Sequence, residues 1–209
     1  MSSLVVYGHP ISACTHRVQL MLKLLGQSFE ERRVDLSVGA QKKEEFLRIN
    51  PLGYVPVLVD GELTLRDSHA ILIYLASRYD PTREWWPATQ PDQALVAQWL
   101  FFQADDVHNG IGGARNHYTF GVPLDGAAAR LRGERALEVL EAHLVSRDWL
   151  ELGRPTLADV ACYPLVSVAQ EAGITLAERP AIRGWIHRLS LLPGFQPMPT
   201  LTQLRAARS

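Results

Sequence analysis

The sequence is poor in the features that mark several large classes of protein. Only two cysteines, Cys14 and Cys162, occur among its 209 residues, too few for a disulfide framework or, by themselves, a zinc site. No window approaches the about 18 uninterrupted apolar residues of a membrane helix, and the first residues lack the apolar core of a signal peptide. We therefore expect neither a metal nor a membrane as a partner, and a protein of the reducing cytosol.

An excess of charge of one sign is also lacking. Lys and Arg number 21 and Asp and Glu 22, which gives a formal net charge of −1. Proteins that bind nucleic acid usually carry a basic surface, so nucleic acid is not expected as a partner. A hydrophobic share of 47% with 21% charged residues is ordinary for a globular protein and excludes wholesale disorder.

The first eighty residues alternate between strand and helix signals. Two β-branched apolar stretches flank a helical spacing, which predicts a parallel strand pair joined by a helix. The dipeptide Asp60-Gly61 between two apolar runs predicts a β-hairpin. The predicted elements are strands over 4–7, 28–34, 55–59 and 63–65, and helices over 15–25, 41–48 and after Asp67-Ser68.

The rest of the chain is predicted to be helical, after a proline-rich linker over residues 81–91. Residues 92–209 contain no convincing strand and form the expected second domain. Thr156 and Asp159 have the spacing of a capping box at the start of a helix. Pro180 is expected to open a helix over 181–192.

The turn around Ser12 and Cys14 joins the first strand to the first helix. A helix N-terminus favours anions, so a thiolate bound there would be stabilised by the helix dipole and by a hydroxyl donor. Ser12 could equally be an ordinary N-cap. Cys14 could itself be a reactive thiol, because a helix N-terminus favours the thiolate. Cys162, between Ala161 and Tyr163, is interpreted as a small buried hydrophobe.

Two further segments could bind a ligand. Pro56 lies among apolar strand residues, which indicates a sheet edge, a strand start or a cis proline. With a cis proline, Val55 could pair through its backbone with an extended, peptide-like ligand. Asp67 and Ser68 head a helix where free N–H groups could hold a carboxylate and Asp67 an ammonium, although Ser68 could be only a cap. The charged run over 42–45 is interpreted as a solvated face.

Taken in order along the chain, these features resemble the cytosolic glutathione transferase family. The match extends over essentially the whole chain, and its specificity comes from the joint order and spacing of the motifs. It implies a thioredoxin-like α/β domain over 1–80 that binds glutathione, and an all-α domain over 92–209 that contributes the electrophile pocket. The matching segments are 50–58, 60–61, 67–75 and 155–159.

The resemblance implies a role for each residue of a glutathione site. Val55, ahead of a cis proline, is expected to present its backbone to the cysteinyl part, and Asp67 and Ser68 to hold the γ-glutamyl group. Many relatives have Gln or Lys where Tyr54 stands, and Glu or Gln where Asp67 stands. The expected glutathione-binding set is Gln41, Tyr54, Val55, Pro56, Asp67 and Ser68, with Gln41 and Tyr54 near the glycyl carboxylate.

Ser12 determines the expected subclass. It lies six residues before Val18, as the catalytic serine does in the theta and zeta classes, and Cys14 matches a cysteine of the zeta pattern. Ala13 breaks the zeta double serine, and the rest of the chain looks closer to general bacterial transferases. Tyr7 lies on the first strand, where tyrosine-type enzymes place their hydroxyl, but its surroundings do not match that class.

The implied activity is conjugation of the glutathione thiolate to an electrophile, as in detoxification, by a homodimeric enzyme. Ser12 would donate to the sulfur, and His108 and Arg115 are weaker candidates for the electrophile pocket, where plain surface polarity is the alternative. A second hypothesis is a glutathione-dependent oxidoreductase or isomerase that uses Cys14. A third is a non-catalytic binding protein on the same scaffold.

Overall fold

The first unit is built on a mixed four-stranded sheet. The computed structural model describes residues 4–206, and its strand order is β2-β1-β3-β4. β1 runs parallel to β2 and antiparallel to β3, and β3 and β4 form the predicted hairpin. The predicted strand over 55–59 begins only after Pro56, whose nitrogen cannot donate to a ladder. The strands are β1 (Leu4–Gly8), β2 (Phe29–Arg33), β3 (Val57–Asp60) and β4 (Leu63–Arg66).

Three helices follow the strands of this unit. Val18, Met21 and Leu22, three of the four residues whose spacing predicts the first helix, are fully buried, whereas the fourth, Leu25, is its C-cap and is partly buried. The single helix expected over 41–48 is instead a 3-10 turn and a short α-helix, because Lys43 between them has an extended backbone. The helices are α1 (Ala13–Leu24), α2 (Glu44–Leu47) and α3 (Ser68–Tyr79), with 3-10 turns at Leu36–Val38 and Ala40–Lys42.

The strand register brings four loop regions to one edge of the sheet, the edge formed by the ends of β1, β2 and β4 and the start of β3. Tyr7 near the end of β1 faces Val57 at the start of β3, which also faces Arg66 at the end of β4. Gly8 is paired with Arg33 at the end of the parallel strand β2. The segments that follow β1, β2 and β4 and the one that precedes β3 therefore leave the sheet at the same edge. Every residue of the expected glutathione-binding set, together with the candidates Ser12 and Cys14, lies on one of these segments.

The second unit, residues 82–192, is helical throughout and has no strand, as predicted. The predicted linker ends earlier than expected, because Thr89 caps a helix with Pro91 in its first turn. No helix of residues 4–206 is long and apolar enough to cross a membrane. The elements are α4 (Gln90–Phe102), a π-helical segment (Gln103–Gly112), α5 (Gly113–Phe120), α6 (Gly126–Leu144), α7 (Leu157–Ser167), a 3-10 turn (Ala169–Ala172) and α8 (Pro180–Ser190).

The predicted capping box opens α7, most of which is buried. The Thr156 hydroxyl accepts from the N–H of Ala158 at 3.2 Å, and the Asp159 carboxylate accepts from the N–H of Thr156 at 2.9 Å. The indole N–H of Trp185 on α8 also donates to Asp159, at 2.8 Å. Asp159 therefore caps the start of α7 and also links α7 to α8.

The C-terminal segment lies elsewhere than predicted. Residues from 193 belong to the first unit instead of completing the helical one. The buried ring of His16 on α1 contacts the backbone oxygen of Gln196 at 3.1 Å, and Met198 is buried. These contacts attach the segment, which ends in the helix α9 (Leu201–Ala206), to the side of α1.

Candidate functional site

Ser12 is the N-cap of α1 and still has a proton to donate. Its Oγ accepts a hydrogen bond from the backbone N–H of Thr15 at 3.2 Å. A hydroxyl carries one donor and two acceptor sites, so accepting this bond leaves its proton for another group. The two interpretations of Ser12, a cap and a donor to sulfur, are therefore compatible.

Cys14 lies in the first turn of the same helix, beside a buried cation. The residue is partly buried, and Nη1 of Arg17 donates to its sulfur at 3.9 Å. Arg17 has no exposed surface, and the same Nη1 donates to Oγ of Ser68 on α3 at 2.6 Å. A cation and a helix N-terminus both stabilise a thiolate. No local pattern in the sequence marks Arg17 as part of the site, because its contact with Ser68 joins residues 51 positions apart.

Asp67, and not Ser68, caps α3. Its carboxylate accepts from the N–H groups of His69 at 2.9 Å and Ala70 at 3.1 Å. The neighbouring His69 side chain and these N–H groups hold the pKa of Asp67 well below its usual range. Its backbone, with φ of 70° and ψ of 119°, lies outside the left-handed helical region that Asp and Asn tolerate, which marks a strained conformation. An exposed carboxylate that stays ionised can pair with a ligand ammonium.

Ser68 is the first residue of α3 and is buried, with 5% of its surface exposed. Within residues 4–206 its N–H has no acceptor, because Asp67 accepts from the next two N–H groups instead. Its hydroxyl oxygen is occupied by Arg17. The Ser68 N–H and hydroxyl proton are thus two donors at the positive end of a helix, the arrangement that binds a carboxylate.

The segment before β3 presents backbone at the same edge of the sheet. The Val55–Pro56 peptide bond is cis, as predicted, and Val55 precedes the first paired residue, Val57. The side chain of Asn50 donates to the carbonyl of Tyr54 at 2.8 Å and accepts from the N–H of Leu52 at 3.1 Å. Asn50 therefore fixes the loop that carries Tyr54 and Val55.

Gln41 contributes a side chain to this corner, together with a lysine that the sequence analysis overlooked. Oε1 of Gln41 is buried and has no hydrogen-bond partner within residues 4–206. Nζ of Lys42 lies 4.2 Å from the centre of the exposed Tyr54 ring and donates to the carbonyl of Leu52 at 3.2 Å. The sequence interpreted Lys42 as part of a solvated face; only the turn geometry brings it to Tyr54.

The two candidate residues of the helical unit, His108 and Arg115, have different surroundings. His108 lines a cavity of about 390 Å³ together with Asn109, Asn116 and Arg132, among others. Arg115 is not in the lining of that cavity. It is buried, and its Nε donates to Glu171 at 2.7 Å. This ion pair accounts for its buried position, and its assignment to the electrophile pocket stays a prediction. Cys162 is fully buried, as expected.

The two units correspond to two known sequence families. Residues 2–77 match the model of the glutathione S-transferase N-terminal domain, and residues 127–193 match that of the glutathione S-transferase C-terminal domain. The chain belongs to the glutathione S-transferase family. Membership confirms the predicted family and its fold, a thioredoxin-like domain with a helical C-terminal domain, and makes the protein an enzyme of this family.

Individual members of the glutathione S-transferase family align along most of the chain. Glutathione S-transferase 3 of Zea mays is 34% identical over 94% of this chain and 93% of its own length. Disulfide-bond oxidoreductase YfcG of Escherichia coli is 32% identical over 93% of this chain and 94% of its own. A glutathione transferase homologue of Drosophila mojavensis, crystallised with bound glutathione, superposes with a TM-score of 0.83 at 28% identity, covering 92% and 90% of the two chains.

Proposed function

We propose that the protein conjugates the thiolate of glutathione to an electrophilic small molecule, with Ser12 as the activating residue. The observation that carries the proposal is the N-terminus of α1, where Ser12 caps the helix yet keeps its proton for a ligand sulfur. The segments that carry the other expected glutathione-binding residues leave the sheet at the same edge. Bound glutathione in the Drosophila mojavensis homologue supports this choice of ligand.

Activation of glutathione requires only a modest electrostatic effect. A thiol with an ordinary pKa of about 8.5 is mostly protonated at neutral pH, and each pKa unit is worth about 1.4 kcal/mol. A hydrogen bond to a charged group contributes about 1.5–3 kcal/mol, and the helix dipole adds to it. Ser12 at the end of α1 therefore has enough strength to lower the pKa of a bound thiol by one to two units. The thiolate then attacks the electrophilic carbon directly, without a protein-bound intermediate.

The two ends of glutathione are assigned to separate groups. Asp67 would pair with the γ-glutamyl ammonium, and the N–H and hydroxyl of Ser68 would donate to the γ-glutamyl carboxylate. Val55 would pair through its backbone with the cysteinyl part. Gln41 and Tyr54 would lie at the glycyl end, where the positive charge of Lys42 suits the carboxylate.

The electrophile is assigned to the helical unit on the strength of one cavity. His108 and the amides of Asn109 and Asn116 supply polar groups to a cavity whose lining is otherwise mainly apolar. We propose that His108 contacts the electrophile, so that His108→Ala changes the KM for the electrophile and leaves that for glutathione unchanged. We also propose a cytoplasmic homodimer, as the family resemblance implies. A monomer mass by light scattering at micromolar concentration would contradict the proposed homodimer.

The direct test is a conjugation assay with a panel of electrophiles on matched variants of α1. Ser12→Ala should lower the rate about 10- to 100-fold near neutral pH, one to two pKa units of lost activation, and recover much of it at high pH. Cys14→Ala, in the same turn, is the control and should keep the wild-type rate. A Ser12→Ala pH–rate profile that overlays the wild-type profile would sink the assignment.

A second function, thiol–disulfide exchange or isomerisation through Cys14, is supported by the cation beside its sulfur and by the name of the Escherichia coli relative. The Cys14 thiolate would attack oxidised glutathione, forming a mixed disulfide and releasing one glutathione thiolate. Intact-protein mass spectrometry decides between the two functions. A glutathione adduct that Cys14→Ala abolishes, together with loss of activity at every pH, would favour this one.

The third hypothesis, a non-catalytic protein on the transferase scaffold, predicts a different result. A folded protein that glutathione resin does not retain would support it. Retention with elution by free glutathione supports either enzymatic function.

A further inference from the structure

We infer that Arg17 is a positioning residue for the carboxylate of the γ-glutamyl group. Its buried guanidinium holds the Ser68 hydroxyl in the orientation that donates to that carboxylate. The inference rests on the proposed function, because it concerns how the proposed glutathione site is held. It deepens that function by assigning recognition of the γ-glutamyl carboxylate to a residue outside the expected binding set.

The contact joins the two helices whose N-termini form the site. Arg17 lies on α1 with none of its surface exposed, and its Nη1 donates to Oγ of Ser68, 51 residues away on α3, at 2.6 Å. Both side chains are buried at this contact. A charged donor at this distance makes a strong, charge-assisted hydrogen bond.

The direction of that bond constrains the serine proton. Arginine carries donors and no acceptor, so the Ser68 oxygen must accept from Arg17. The hydroxyl proton then cannot point at the guanidinium and must be donated elsewhere. Since Asp67 already accepts from the N–H groups of His69 and Ala70, the Ser68 hydroxyl and N–H are the donors left at this end of α3.

The charge acts in the same direction as the orientation. A guanidinium that donates to a hydroxyl polarises it and makes it a better donor in turn. The positive end of the α3 dipole adds to the potential of the guanidinium at the same point. An anion is therefore the class of ligand group that these contacts favour, and the γ-glutamyl carboxylate is the anion that the proposed function brings here.

The test compares two ligands, glutathione and an analogue that keeps the α-ammonium of the γ-glutamyl residue and carries an amide in place of its α-carboxylate. The second ligand isolates the contribution of the anion. Calorimetry gives the affinity of the wild type for each. Arg17→Met should weaken glutathione about 10-fold and weaken the amide analogue far less. Arg48→Met, which removes an exposed arginine of the same unit, should leave both affinities unchanged.

A double-mutant cycle tests whether Arg17 acts through Ser68. Ser68→Ala should weaken glutathione as well, and Arg17→Met on the Ser68→Ala background should cost distinctly less than on the wild type, because coupled residues are not additive. Full additivity, or an Arg17→Met protein that folds and keeps the wild-type ratio of the two affinities, would overturn the inference. A merely structural role would lower the two affinities equally.

Two measures keep the inference testable if the methionine variant does not fold. Arg17→Gln keeps a donor and much of the side chain but removes the charge, and it should show the same selective loss. In the unmutated protein, the side-chain NMR signal of Arg17 should shift on binding glutathione and shift less with the amide analogue; equal shifts would contradict the inference. A wild type that binds neither ligand would refute the proposed function instead, whereas equal binding of both would refute only the role of Arg17.

Discussion

Ser12 and Ser68 stand at the N-termini of two helices and make the same type of bond with different partners. Oγ of Ser12 accepts from a neutral backbone N–H three residues ahead, at 3.2 Å. Oγ of Ser68 accepts from the guanidinium of Arg17, 51 residues away, at 2.6 Å. Each oxygen accepts a hydrogen bond from the protein, and each hydroxyl proton stays available to a ligand. A local cap prepares the first serine and a tertiary contact prepares the second.

The difference separates two kinds of contribution to the proposed reaction. Ser12 is assigned to the sulfur, so its contact strengthens as the thiolate forms and should appear in the pKa of the thiol and in the rate. Ser68 is assigned to a part of glutathione that does not react, so it should bind ground state and transition state equally. The variants that follow compare the two ends of the site, from the largest expected effect to the smallest.

Ser68→Ala should raise the KM for glutathione about 10- to 100-fold and leave kcat nearly unchanged. A hydrogen bond to a carboxylate is worth about 1.5–3 kcal/mol, and loss of uniform binding appears in KM. Because Asp67 is the cap of α3, any fall in stability would come from the lost acceptor of Arg17 and not from helix capping. Steady-state kinetics with saturating electrophile measure both constants. An unchanged KM with a collapsed kcat would contradict the assignment.

Asp67→Asn should weaken glutathione several-fold and cost less stability than Asp67→Ala, because Asn caps a helix as well as Asp and tolerates a positive φ. Asp67→Ala is the matched comparison. It removes the charge and the cap together and should also cost about 1 kcal/mol of unfolding free energy. Calorimetry and thermal unfolding give the two quantities. If Asp67→Asn binds glutathione as the wild type does, the carboxylate does not hold the ammonium.

His16→Gln should flatten the acid limb of the stability curve without changing glutathione binding. Burial on α1 lowers the pKa of His16 from 6.5 to about 4, so the folded protein resists its protonation. The unfolded chain binds that proton first, so stability is full above pH 6.5 and is lost as the pH falls towards 4. Urea unfolding at about pH 7 and about pH 4.5 gives the change in stability with pH. An equally steep loss in the variant would show that another group is responsible.

Cys14→Ala should change the conjugation rate by less than about 2-fold, since an ordinary partly exposed packing contact is worth well under 1 kcal/mol. The variant retains Ser12 and the N-terminus of α1, which are the proposed means of activation. Rates with one reactive electrophile, compared across the pH range, decide the point. A loss at every pH would transfer the chemistry to the cysteine.

Local signals in the sequence predict most of the first unit. The parallel strands and the hairpin at Gly61 depend on residues close together in the chain, as does the capping box of Thr156 and Asp159 in the second unit. The cis form of Pro56 came from the family resemblance, because the residues alone also allowed a sheet edge or a strand start. The cap at Ser12 is also local. The cap of α3 was assigned one residue too late, because both Asp67 and Ser68 are good capping residues and only the backbone geometry distinguishes them.

Contacts between distant segments account for what the sequence did not predict. The bond from Arg17 to Ser68 depends on how α1 packs beside α3, and the attachment of the C-terminal segment depends on His16 reaching Gln196. The ion pair of Arg115 with Glu171 joins residues 56 positions apart.

The pKa of the glutathione thiol in the complex tests the central claim most directly. Thiolate absorbance in the ultraviolet, followed during a pH titration, gives this pKa for the wild type and for Ser12→Ala without any electrophile present. We predict a pKa about one to two units below that of free glutathione in the wild type, and a pKa close to that of free glutathione in Ser12→Ala. Equal values in both proteins, with glutathione bound in each, would contradict the assignment of Ser12 as the activating residue.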